Sequence, residues 1–173
     1  MKLPAPLASA LLGLGLLAGC GSCAGPAPAP KVIESFSGGA FNDVKSWKAL
    51  PALPAWVKTP PAREGFLVFV TGPVLSNLPH IAAFKAETPD VRAFVLARLA
   101  PVAGEEAAKA AAGAAPAKPV PVEQACHESR EEGDMTPGAN LASVWSLFEV
   151  PTGPILDALP ADRRDAARGA LRQ

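Results

Sequence analysis

The sequence predicts an α+β fold, a small antiparallel sheet packed by helices and joined by Pro-rich irregular segments. Three observations carry that expectation. Two short runs, 66–71 and 144–150, are largely apolar on both alternations and are stopped by Gly or Pro, as mostly buried strands are. Two longer stretches, 89–112 and 154–172, set apolar residues at helical spacing behind first turns that carry Pro. Twenty prolines and fifteen glycines in 173 residues exceed what a compact domain needs, and the prolines cluster where linkers would fall.

Taken in order, Val32, Ile33 and Phe36 suit a third strand at 31–36, short and at a sheet edge, which Ser37-Gly38-Gly39 should end. Phe41 to Trp56 holds Pro51 and Pro54, which exclude a long helix. An irregular strap with Trp47 and Trp56 tucked onto the core is expected there, with an exposed aromatic binding surface as the alternative. Gly65 to Val70 has no polar residue after Gly65 and reads as a central strand covered on both faces.

Asn77-Leu78-Pro79 can open a helical turn reaching Lys85. Thr88-Pro89-Asp90 is the stronger start, with Thr88 as N-cap, Pro89 in the first position and an acid in the first turn. Val91, Phe94, Val95, Leu99 and Val102 then form one apolar stripe, which Pro101 should kink or divide before Glu105 to Ala112 resume it. The low-complexity stretch 110–121 reads as a flexible connector, and Val122 to Asp134 as a solvated acidic loop. Val144 to Val150 alternates Val144, Phe148 and Val150 on one face with Trp145 and Leu147 on the other. Pro154 to Leu159 and Pro160 to Leu171 close the chain as helical pieces, with Arg168 and Arg172 suitably near the last dipole end. Residues 31–173 are thus expected to form a single small globular domain.

Sixteen basic and sixteen acidic side chains leave no basic excess, which argues against a nucleic-acid partner. The first nineteen residues carry Lys2 as their only charge, ahead of an apolar run from Leu3 to Ala18. That run is shorter than the roughly 20 residues a spanning helix needs, and it is broken by Pro4, Pro6, Gly13 and Gly15. It reads as a secretory signal whose apolar segment is later removed. Its end, Leu17-Ala18-Gly19-Cys20, resembles the lipobox of bacterial lipoproteins. The resemblance implies removal of 1–19, a diacylglyceryl thioether on Cys20 and acylation of the new amino group, so the membrane is engaged through N-terminal lipid. Two or three acyl chains anchor a protein without a transmembrane helix. Residues 20–30 then form a Pro/Ala tether, extended at about 3.1 Å per residue, that would hold the domain roughly 30 Å from the bilayer. Gly21, in place of an Asp, resembles an outer-membrane address, with the domain in the periplasm or at the cell surface.

Chemistry-bearing constellations are sparse. Ser35 to Gly39 is the nearest approach to a nucleophile turn and lacks the G-x-S-x-G pattern; His80 and His127 are the available imidazoles. Cys126, His127 and Glu128 are the metal candidates considered, but neighbours on an extended segment point to opposite faces and the zinc spacings are absent, so no metal and no cofactor are expected. Cys20 to Cys23 is formally C-x-x-C, yet an acylated Cys20 is closed to redox chemistry. In an exported protein the remaining Cys23 and Cys126 are a candidate disulfide.

From about Leu53 onward the order of features resembles the Lpp-twenty type family of small envelope lipoproteins. The matching pieces are Pro54 to Pro61, the strand Phe66 to Gly72, the helix around Val91 to Ala100 and the passage Val144 to Pro151 leading into a helix. The chain departs from that pattern in Ala110 to Asp134. The resemblance implies helices on a small antiparallel sheet and no catalytic residues. The expectation is therefore a lipid-anchored, non-catalytic envelope lipoprotein that binds an envelope protein or itself. A small-ligand or metal-binding module built on Cys126 to Asp134 is the alternative, and a lipid-attached enzyme the third.

Overall fold

In the computed structural model, residues 29, 31–41, 43–134 and 140–172 are described. The segment 1–19, Cys20, Cys23 and nearly all of the tether lie outside them. The described chain forms five strands and five α-helices: β1 (Val32–Ala40), β2 (Lys48–Leu50), β3 (Phe66–Ser76), α1 (Pro79–Phe84), α2 (Val91–Ala103), α3 (Glu105–Ala114), β4 (Pro121–Glu131), β5 (Leu141–Pro151), α4 (Gly153–Asp157) and α5 (Arg164–Leu171). All pairings are antiparallel, in the order β2-β1-β4-β5-β3. The α+β class read from the sequence is the class observed.

The expected central strand is at an edge. β3 ends the sheet, and the segment read as a solvated acidic loop is its middle strand, β4. β3 is apolar on both alternations because it is covered from both faces, with Leu67 in the helical core and Val68 buried on the other side. β4 escapes notice because its buried members are Gln124, Ala125 and Cys126, none a large hydrophobe, while its far end runs out as exposed acids.

β1 also continues through Gly38 and Gly39 and is shielded at the edge by β2. The glycines serve close approach rather than termination. A Cβ on Gly38 would stand 2.8 Å from the Gln124 carbonyl oxygen, and one on Gly39 would stand 2.9 Å from Cδ1 of Trp47. The strap between β1 and β3 is irregular as expected apart from β2 and short 3-10 turns at Val44–Ser46 and Ala55–Val57.

One face of the sheet carries two apolar clusters. Leu67 and Val150 pack with Val91, Val95 and Leu99 of α2 and with α3, α4 and α5. The expected stripe on α2 is therefore the face that is buried; Phe94, at its side, meets Phe69 edge to face at 5.3 Å. The helix cap differs from expectation: Asp90, not Thr88, is the N-cap, and its carboxylate accepts from the Ala93 N–H at 3.0 Å. Pro101 stays inside α2, and the division falls at Gly104 instead. The helix expected from Glu105 is present as α3, and it runs to Ala114, into the first part of the expected connector. Ala108, Ala111 and Ala112 of α3 and the following Ala115 are buried, because methyl-sized side chains let α3 lie close on α2. Arg92 of α2 closes that arrangement by donating to the carbonyls of Ala115 and Gly113 beyond and at the end of α3.

The second cluster is made of small residues: Ala82 and Ala83 of α1 on Cys126, Ala142 and Val144, with Trp47 and Val74 at its border. Between the clusters the buried Gln124 side chain donates at 2.9 Å both to the Ala83 carbonyl and to Ser146 Oγ. On the opposite face the turn at Ala55–Val57 lies against β5, and Arg63 pairs with the largely buried Glu149.

β3 bends where Gly72 holds φ +110, and the register shifts between Thr71 and Val74. A Cβ there would stand 2.6 Å from the Val144 carbonyl oxygen. Gly72→Ala is expected to lower stability by about 1–3 kcal/mol in urea unfolding, from backbone strain alone and more from the clash. Gly113→Ala, in a helix with open space around it, is expected to raise stability by about 0.4–1 kcal/mol. Equal effects at the two positions would contradict the assigned backbone geometry.

Candidate functional site

The polar run that stands out in the sequence is distributed by β4 over two faces. Pairing sets Cys126 opposite Val144 and Ser37 on the α1 face, whereas His127 faces Phe36 and Ser143 on the other. Glu128 lies on the Cys126 face, opposite Ala142 and Ser35. The three metal candidates are thus not brought together, and among the described residues no group of three His, Cys, Asp or Glu could hold an ion.

Cys126 is a free thiol with 0% of its surface exposed, under Ala82 and Ala83. Burial, aided by the nearby Glu128 charge, pushes it up to about 12. Its candidate disulfide partner, Cys23, lies outside the described residues. His127 stacks on Phe36 at 5.0 Å between centroids, and its Nε2 is 3.6 Å from Glu34 Oε1. His80 is exposed on α1, separated by the sheet from His127. Ser35 and Ser37 lie within the regular pairing of β1, so no strained nucleophile turn forms there. A nucleophile, a base and an orienting acid do not converge at any of these positions.

The two strap tryptophans are both partly buried. Trp47 donates from Nε1 to the Ala40 carbonyl at 3.0 Å and borders the second cluster, so it belongs to the packing. Trp56 buries its Nε1 without a hydrogen-bond partner among the described residues.

One concave feature among the described residues is not disclosed by local sequence patterns. A groove of about 750 Å³ lies at the start of β3, where Phe66 and Val68 line it. Pro60, Pro61 and Phe66 line one side, and Leu156, Leu171 and Arg172 the other. Phe66 is 41% exposed, an aromatic ring left in solvent. The groove lies at the end of the sheet where Phe66 pairs with Pro151, whereas β1 enters at the other end, where Val32 pairs with Glu131. Eleven residues of β5 separate those ends by about 35 Å.

In comparisons with known proteins, no family model, curated protein or solved structure matches the chain.

Two measurements check this geometry. Gln124→Leu strips the donor from the buried Ala83 carbonyl and is expected to cost about 1–3 kcal/mol in urea unfolding. An unchanged midpoint would contradict the bridging role. For Cys126, the folded thiol ionises near 12 and the unfolded thiol near 9.0, so its contribution is fully present below pH 9 and lost as pH rises toward 12. Stability is expected to fall by up to about 1.4 kcal/mol per pH unit above pH 9 through this group. Cys126→Ala should flatten the curve between pH 9 and 10, and native protein should resist thiol reagents until it is unfolded. Rapid native labelling would contradict the burial.

Proposed function

We propose that the chain is a lipid-anchored, non-catalytic bacterial envelope lipoprotein whose folded domain has a structural or protein-binding role. The observation that carries this reading is Leu17-Ala18-Gly19-Cys20 at the end of a short, Pro-interrupted apolar run. That order of features supplies an export signal, a cleavage point and an acylatable thiol, and the Pro/Ala stretch after it supplies a tether. Among the described residues no helix is long and apolar enough to cross a membrane, which is compatible with anchoring through lipid. Gly21 favours the outer membrane, with the domain on its periplasmic or outer side.

The non-catalytic part of the reading is supported by where the reactive groups sit. The Cys126 thiol is buried and held protonated, His127 lies on the opposite sheet face, and His80 stands in solvent. A domain with a concave, partly apolar surface at the end remote from its tether is suited to binding another envelope component.

Detergent-phase partitioning of protein expressed in a bacterium tests the anchor. Wild-type chain is expected in the detergent phase and in the membrane pellet. Cys20→Ser is expected to leave the detergent phase and to remain uncleaved at the lipoprotein site. Equal partitioning of the two proteins would contradict lipid attachment.

A further inference from the structure

The two edges of the sheet are finished differently. β2 is three residues long, too short to template another strand, whereas β3 is eleven residues long and no described element pairs with its outer side. A long unpaired edge is a ready template for added backbone. Here the first residues of that edge, Phe66 and Val68, also line the groove. The N–H of Phe66 turns away from β5 to the Arg63 carbonyl, while the Gly65 carbonyl faces β5 and accepts from Thr152. By strand alternation the N–H and C=O of Val68 turn outward, into the groove.

We propose that this groove binds an extended peptide segment of a partner protein, which pairs with β3 and sets an acidic side chain against Arg172. The proposal deepens the protein-binding role proposed above and rests on it. Alternate side chains of an added strand would point to the two walls in turn. Those facing Pro60, Pro61 and Phe66 meet apolar surface. Those facing α5 meet Leu171 and two arginines.

The charges on the walls choose the sign. Arg63 is already held by Glu149, and Arg168 by Asp165 at 2.6 Å. Arg172 has no carboxylate within ion-pair distance among the described residues. Glu64 lies on the strap side, so an incoming acid is directed to the α5 wall and not to both. The occupant is not this chain's own tether, which joins β1 about 35 Å away at the far end of the sheet. A second copy is also disfavoured, because its β3 edge carries the same strap and α5 walls and would collide with them. A single strand has no such walls.

The test uses a phage-displayed library of random ten-residue peptides selected on the full mature chain. Enriched peptides are expected to alternate apolar and acidic residues. Arg172→Glu and Phe66→Ala are each expected to weaken their binding by about tenfold or more, while Arg98→Glu on α2 leaves it unchanged. Peptide-to-Val68 amide contacts in NMR spectra would support backbone pairing. Failure to enrich any peptide, or binding insensitive to both groove variants, overturns the proposal. So does a dimer in sedimentation that Phe66→Ala dissolves, since the groove would then belong to a second copy. Cleavage of a bound peptide overturns the non-catalytic reading and leaves the strand site standing. A partner photo-crosslinked in cells through position 75 but not through position 66 does the reverse.

Discussion

The side-chain amide of Gln124 joins three elements at once. From the middle strand it reaches α1 through the Ala83 carbonyl and β5 through Ser146 Oγ, with no solvent exposure. The Nε2 donors buried without acceptors would cost several kcal/mol, so they favour an arrangement in which α1 lies over β4 and β5 in one register, while Oε1 has no partner among the described residues. The second apolar cluster depends on that placement. Its members, Ala82, Ala83, Cys126 and Ala142, are too small to fix a helix position by interlocking, and the hydrogen bonds supply the direction that the packing lacks. The larger cluster, built from Leu67, Val95, Leu99, Val150 and Ile155, is specified by shape instead.

This division explains what could be read from the chain. β5, the first half of β3 and the α2 stripe are written in large aliphatic and aromatic residues at strand or helical spacing, and they emerge from the sequence with nearly the right limits. β4 is written in Gln, Ala, Cys and acids, so its central place comes from backbone pairing on both sides and not from hydrophobic alternation. α3 is legible from Glu105 to Ala112, and only its end is lost to the expected connector, since alanines that look like low-complexity spacer are the means of close helix packing. Apolar alternation reports coverage of a strand's faces and is silent on its edges, which is why β3 reads as central. The groove was not legible at all, because its walls come from residues near 60–66, 152–156 and 168–172, which only the fold assembles.

The same topology gives the domain two unlike ends. β1 enters beside the β4–β5 connection, among Glu131, Glu132 and Asp134. The groove opens at the other end, between the strap and α5. On the proposed reading, the end of the sheet where β1 enters faces the anchoring membrane and the concave, partly apolar surface faces away from it. The tether 20–30 and a sheet about 35 Å long would together present the groove well clear of the bilayer.

The measurement that bears most directly on this account is the mass of the N-terminal peptide of the protein extracted from bacterial membranes. The expected peptide begins at Cys20 and carries a diacylglyceryl group on sulfur, with or without a further acyl chain on the amino group. A peptide that retains residues 1–19, or one that begins at Cys20 or later with no lipid, would contradict it.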